Sequence, residues 1–187
     1  ANGSVVVTVN SAATVSAGTD DTACEGSTFT TSGSIGGGAS SATWSTSGTG
    51  TFADNTLLAA VYTPSAADIS AGSVVLTILS DDPSGPCGAV SDPMTLTINP
   101  PLSITGTTDG SRCGTGTVAL GATASAGTIN WYAASSGGSS LGTGTSFTTP
   151  SISVTTSYHV DATANGCTTG SRTSVTATVT ATPSITG

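Results

Sequence analysis

Four cysteines, one histidine and ten acidic side chains are the groups in this 187-residue sequence that could do chemistry. Cys24, Cys87, Cys113 and Cys167 include no C-x-x-C pair, and His159 alone cannot complete a zinc site. Cysteines in a chain with no Lys and few charges fit disulfides in an oxidising compartment. His159 and Asp161 lie two residues apart, so on a strand they face one side, which we read as outward. Catalysis would need a nucleophile and an activated base converging in a cleft, and the sequence signals neither. The chain is therefore expected to be non-enzymatic and to hold no cofactor. Asp20, Asp21 and Glu25 gather in one connection and are the calcium candidates. Calcium takes about six to eight oxygens, and no spaced calcium motif is present, so these side chains read as solvated loop acids and no metal site is assigned. Asn2-Gly-Ser4 fits the N-glycosylation pattern.

Composition narrows the function classes. Charged residues are 6 % of the chain, against roughly a quarter in ordinary soluble domains. Arg112 and Arg172 are the two cations, and the net charge is −8. That balance argues against nucleic acid and against anionic lipid, both of which call for a basic face. No apolar run approaches the roughly 18 residues of a membrane span, and no signal peptide is visible.

The elements that must position these groups are strands. Val, Ile, Leu and Thr alternate in short runs, as in Met94, Leu96 and Ile98, or Tyr158, Val160 and Ala162. We expect strands near 13–17, 27–32, 41–45, 57–63, 73–80 and 93–99, with a helical turn within 64–72. A second set falls near 102–105, 117–123, 128–133, 146–149, 156–162 and 173–180. The two sets repeat one plan: an opening segment, a cysteine and a glycine (Cys24, Gly26; Cys113, Gly114), a Trp on a short strand (Trp44; Trp131), then a Gly- and Cys-bearing turn (Cys87; Gly166-Cys167). Short strands with turn residues every 8–12 positions or so are a β-sandwich pattern. Trp44, Trp131 and Tyr158 are expected in the cores. Tyr132, on the face opposite Trp131, is the more exposed aromatic. The domains read as 13–100 and 101–181. Residues 1–12 read as the last strand of a preceding domain, and 182–187 as the start of a following one, as if cut from a longer chain.

The order Cys, Trp, Cys resembles immunoglobulin domains. Finer matches lie in Ala17-Gly-Thr-Asp-Asp-Thr-Ala-Cys-Glu-Gly26, Ala42-Thr-Trp44, Tyr62-Thr-Pro-Ser-Ala-Ala-Asp-Ile-Ser-Ala-Gly72, Asn130-Trp-Tyr132 and Asn165-Gly-Cys167. These segments resemble the Ig-like and PKD-like repeats of giant secreted Bacteroidota surface proteins, among them gliding-motility adhesins. The resemblance implies an all-β fold of tandem immunoglobulin-like sandwiches, export by the type IX route and a place at the cell surface. Asp21-Thr-Ala23 resembles the O-glycosylation acceptor of the same lineage, which makes Thr22 a modification candidate.

Immunoglobulin-like architecture leaves two disulfide schemes open. One bridge per domain gives Cys24–Cys87 and Cys113–Cys167. Yet Cys24 and Cys113 fall in the first connection and Cys87 and Cys167 in the last hairpin, at opposite ends of such a sandwich. The staggered scheme therefore pairs Cys24 with Cys167 and leaves Cys87 for a preceding domain and Cys113 for a following one. The expected function is structural: a disulfide-stiffened repeat segment of a long extracellular fibre or adhesin. Its partners are neighbouring domains of the same chain, other copies in a filament, and surface glycans. The alternative is a spacer or carbohydrate-binding accessory module of a secreted hydrolase.

Overall fold

The computed structural model describes residues 3–4, 9–83 and 87–183. The chain divides into two compact units, Ala1–Pro100 and Pro101–Gly187. Unit 1 contains β1 (Ala13–Ser16), β2 (Asp21–Cys24), β3 (Phe29–Thr30), β4 (Ser34–Gly37), β5 (Ala42–Thr46), β6 (Thr51–Phe52), β7 (Val61–Thr63), α1 (Ala66–Ala71), β8 (Ser73–Ser80) and β9 (Ser91–Asn99). Unit 2 contains β10 (Ile104–Thr108), β11 (Gly110–Cys113), β12 (Ala119–Ala124), β13 (Thr128–Tyr132), β14 (Gly142–Thr143), β15 (Ser146–Thr148), β16 (Thr156–Ala164), β17 (Cys167–Thr168) and β18 (Thr173–Thr180).

Alternation builds the main sheet of unit 1, ordered β2-β9-β8-β5. Val74, Leu76 and Ile78 of β8 and Met94, Leu96 and Ile98 of β9 point inward, while Ser73, Val75, Thr77 and Leu79 point away. Ala42 and Trp44 of β5 continue the inner face. The β3-β7-β6 sheet supplies Tyr62 and Phe52 to the same core, and β1 pairs with β4 beside it. Trp44, Phe52 and Tyr62 meet ring to ring, with centroids 6.3 and 4.9 Å apart. α1 begins at Ser65, whose side chain accepts from the Asp68 N–H while Asp68 reaches back to the Ser65 N–H. It ends at Gly72, whose φ of 76° is a left-handed cap that suits glycine.

Unit 2 follows the same logic. Its larger sheet runs β11-β18-β16-β13-β14, with β17 on the end of β16, and β10-β12-β15 forms the other. Trp131 stacks on Phe147, with centroids 5.2 Å apart, and Phe147 meets Tyr158 at a tilt, 5.4 Å apart, in a core shared with Leu120, Val160 and Val175.

Several strands differ from expectation for local reasons. The run expected at 27–32 forms strand only at Phe29–Thr30, because Thr31 turns its N–H and hydroxyl to the Ala60 and Leu58 carbonyls. The run expected at 57–63 begins at Val61. Before it, Asp54 caps a turn by accepting from the Thr56 N–H, and Asn55 uses its carbonyl to accept from the Trp44 N–H. Of the strand expected at the start of the chain, residues 3–4 and 9–12 are described and lie in no strand. The rest of it, the Asn2 glycosylation candidate, and 184–187 of the following-domain segment fall outside the described residues.

Candidate functional site

The cysteines are placed by a pair of strands that hydrophobic patterning does not mark. β2 runs parallel to β9, with Asp21 opposite Leu96 and Cys24 opposite Asn99. β11 runs parallel to β18, with Gly110 opposite Ala177 and Cys113 opposite Thr180. Neither is a loop, as the sequence reading placed them. Each is an edge strand held by backbone bonds to the last strand of its unit, and the two frames match closely. Glu25 donates its N–H to the Asn99 carbonyl at 3.0 Å, and Gly114 donates its N–H to the Thr180 carbonyl at 2.9 Å. Asp20 accepts from the Thr95 N–H at 2.7 Å, and Asp109 accepts from the Thr176 N–H at 2.7 Å. Both carboxylates thus pin the start of the parallel strand to the last strand.

Cys24 therefore lies where the chain leaves unit 1, and Cys113 where it leaves unit 2. The other two cysteines lie where the chain arrives. Cys87 stands between β8 and β9, with its Sγ 3.9 Å from the Asn10 carbonyl oxygen. Cys167 pairs with Ala164 at the end of β16. That end also carries Thr163, opposite Thr128, and the turn where Ser125 donates its N–H to the Ser103 carbonyl.

These placements exclude the one-bridge-per-domain scheme. β9 has nine residues and spans about 27 Å, and β18 has eight and spans about 24 Å. Bridged α-carbons must come within about 7 Å. Cys24–Cys87 and Cys113–Cys167 are accordingly not formed: Cys24 and Cys167 are disulfide-bonded, whereas Cys87 and Cys113 are free thiols.

The acids do not assemble a cation site. Asp20 is committed to Thr95, and Asp21 accepts from the Thr22 N–H at 2.7 Å. Among the described residues no three His, Cys, Asp or Glu side chains group as metal ligands, so the calcium candidates Asp20, Asp21 and Glu25 are set aside. Thr22 is exposed on edge strand β2.

Two polar clusters are structural. Asp68 is buried, yet its carboxylate accepts from Tyr62 Oη at 2.7 Å and from the N–H groups of Gly50 at 2.8 Å and of Thr49 and Ser65 at 3.0 Å. Burial alone would raise its pKa. The Ser65 N–H, the Tyr62 hydroxyl, and the Thr49 and Gly50 N–H groups outweigh that and lower it from 3.8 to about 2. In unit 2, Asp161 shares a face of β16 with His159, opposite the core-facing Tyr158 and Val160, yet it is buried there rather than solvated. Arg172 folds over it, with Nε 3.2 Å from Oδ2. Asn130 adds a bond at 2.9 Å. The same guanidinium lies 3.2 Å over the Tyr132 ring and donates to the Ala134 and Gly137 carbonyls. Tyr132 is half-buried, more exposed than Trp131 as expected, with Arg172 lying over its ring. Trp44, Trp131 and Tyr158 are buried; Trp131 Nε1 donates to the Gly144 carbonyl, whereas Trp44 Nε1 has no hydrogen-bond partner among the described residues.

Residues 99–181 match the family described as an Ig-like domain, CHU_C associated. Among solved structures, the chain is similar to immunoglobulin domains 1–5 of Sidekick-1, with 14 % identity and a TM-score of 0.51, over 92 % of this chain and 40 % of that one. It is also similar to the fibronectin(III)-like modules of Clostridium thermocellum CbhA, with 12 % identity and a TM-score of 0.49, over 90 % and 94 % of the two chains. An I-band fragment of titin gives 13 % identity and a TM-score of 0.46; it aligns with 87 % of this chain, which spans 62 % of the fragment. At 14 % identity the likeness to Sidekick-1 speaks to fold alone. No curated protein matches in sequence.

Proposed function

The chain is built of immunoglobulin-like repeats, the second of them matching the CHU_C-associated family, and from that premise we propose that it serves as a disulfide-stiffened structural segment of a long extracellular surface fibre or adhesin. One observation carries the reading. The reactive residues are the cysteines, and they sit at the ends of the domains. Cys24 is oxidised at the end where the chain leaves the first domain, and Cys167 at the end where it arrives in the second. In this reading Cys24 is bonded to Cys167, so that consecutive domains are stapled across their junction.

The surface chemistry supports the same role. Ig-like and fibronectin-type domains are generally non-catalytic. The side chains of both arginines donate to backbone carbonyls, Arg112 to Gly114 and Thr117 and Arg172 to Ala134 and Gly137, which leaves trypsin-like proteases little to engage. No helix among the described residues is long and apolar enough to cross a membrane. A carbohydrate-binding module would present an open aromatic platform, and the Tyr132 ring is occupied by Arg172.

Non-reducing peptide mapping of the native protein tests the staple. A Cys24–Cys167 peptide is expected, and a Cys24–Cys87 or Cys113–Cys167 peptide overturns it. Electron microscopy of native material tests the larger role: thin continuous fibres are expected, and discrete globular particles count against it.

A further inference from the structure

We infer that Cys87 and Cys113 are the two halves of a second staple, and that Cys113 of one copy of this chain forms a disulfide with Cys87 of a following copy. The inference rests on the proposed Cys24–Cys167 bond. Two independent observations lead to it. The first is equivalence of place. Cys113 occupies in unit 2 the position of Cys24 in unit 1: last residue of the parallel edge strand, opposite the end of the last strand, with the next N–H bonded to that strand. Cys87 lies between β8 and β9 as Cys167 lies between β16 and β18. The second is oxidation state. Cys24 and Cys167 are oxidised, while Cys113 and Cys87, which have the same two kinds of position, are not. Each free thiol is thus at the end of its own unit that, by the Cys24–Cys167 precedent, meets a cysteine of the complementary kind. Cys113 is exposed, and its Sγ accepts a hydrogen bond from the Thr180 hydroxyl at 3.3 Å.

The chemistry balances with a small-molecule disulfide as oxidant. The Cys113 thiolate attacks oxidised glutathione, forming a mixed disulfide and releasing one glutathione thiolate. The Cys87 thiolate of the second copy then displaces the remaining glutathione and forms the Cys113–Cys87 bond. Two protein thiols lose two protons and two electrons, and one glutathione disulfide is reduced to two glutathiones.

The test uses the whole chain in a glutathione redox buffer, at about 1 mM to match the effective concentration a short linker supplies. Wild-type protein should give a ladder on a non-reducing gel that collapses on reduction. C87A alone and C113A alone should lose the ladder, and their mixture should regain a dimer. Mapping should show a Cys113–Cys87 peptide alongside Cys24–Cys167. A mixture that stays monomeric, or a dimer made of Cys113–Cys113, overturns the inference. Absence of the Cys24–Cys167 peptide in the same map would instead overturn the reading beneath it, so the two failures are distinct.

Discussion

Asp68 offers the sharpest test of the physical account, because one buried carboxylate ties α1, β7 and the turn before β6 together. Replacing it by Asn keeps the shape and removes the charge. Asp68 Oδ2 accepts from Gly50, Ser65 and Tyr62, and Oδ1 accepts from Thr49. An amide has one acceptor oxygen, so its NH₂ must face at least one backbone N–H. A buried donor left without an acceptor costs about 1–3 kcal/mol. Linkage gives a second contribution. The depression of the Asp68 pKa from 3.8 to about 2 is worth about 2 kcal/mol at neutral pH, and water at the domain rim screens this to about 1–2 kcal/mol. The two overlap, and we expect D68N to cost unit 1 about 3 kcal/mol, or about 15 °C in Tm. The sign with pH is fixed. The folded-state pKa lies below the unfolded one, so the stabilisation is complete well above pH 3.8 and is lost as pH falls toward 2. The gap between wild type and D68N should therefore close over that window. Hydrogen exchange at the Leu76 and Ile78 amides reads unit 1 separately from unit 2. A loss below about 0.5 kcal/mol at pH 7, or a gap that does not shrink with acid, would refute the reasoning.

Other consequences can be checked alongside. Gly50 leaves room for the same carboxylate: a Cβ there would lie 2.6 Å from Asp68 Oδ2 and from the Thr63 carbonyl, so G50A should cost about 1–3 kcal/mol by urea unfolding. R172A leaves Asp161 buried without its cation and uncovers Tyr132; unit 2 should lose about 3 kcal/mol, seen in exchange at Val160 and Val175, with R172K recovering only part. Trypsin should leave the native chain uncut at Arg112 and Arg172 and cleave both after unfolding. If Thr22 carries an O-glycan, native peptides spanning β2 should show a hexose mass shift that a T22A variant lacks.

What was legible in the sequence follows from where burial decides structure. β8, β9 and β18 alternate apolar and polar residues along their length, so pattern alone placed them. Trp44 and Trp131 stood out as large aromatics on short strands. Ser65, Asp68 and Gly72 punctuate α1 strongly enough to suggest its turn of helix. β2 and β11 were not legible, because Asp21-Thr-Ala-Cys24 and Gly110-Ser-Arg-Cys113 carry no apolar stripe; parallel backbone pairing at a sheet edge makes them strands. That omission placed Cys24 and Cys113 in loops, although it still put them at the correct ends. The burial of Asp161 on its outer strand face was not legible, because what covers it is Arg172, eleven residues away on another segment. Asp68 had one local signal, the Ser-x-x-Asp capping pattern, which does not reveal that Tyr62, Thr49 and Gly50 also converge on it.

The parallel pairing of β2 with β9, and of β11 with β18, also determines how each domain would answer a pull on its two ends. The first strand of each pair is tethered toward the N-terminus and the second toward the C-terminus, and they run in the same direction. Tension therefore slides one strand along the other and loads all the evenly spaced rungs together, instead of opening them one at a time from an end. Rupture must then break the ladder in a single step, with Asp20–Thr95 or Asp109–Thr176 as an added rung. In a domain whose edge-strand cysteine is reduced, this short edge is therefore the place where the mechanical lifetime under load is decided, and a disulfide at that cysteine carries the load past it.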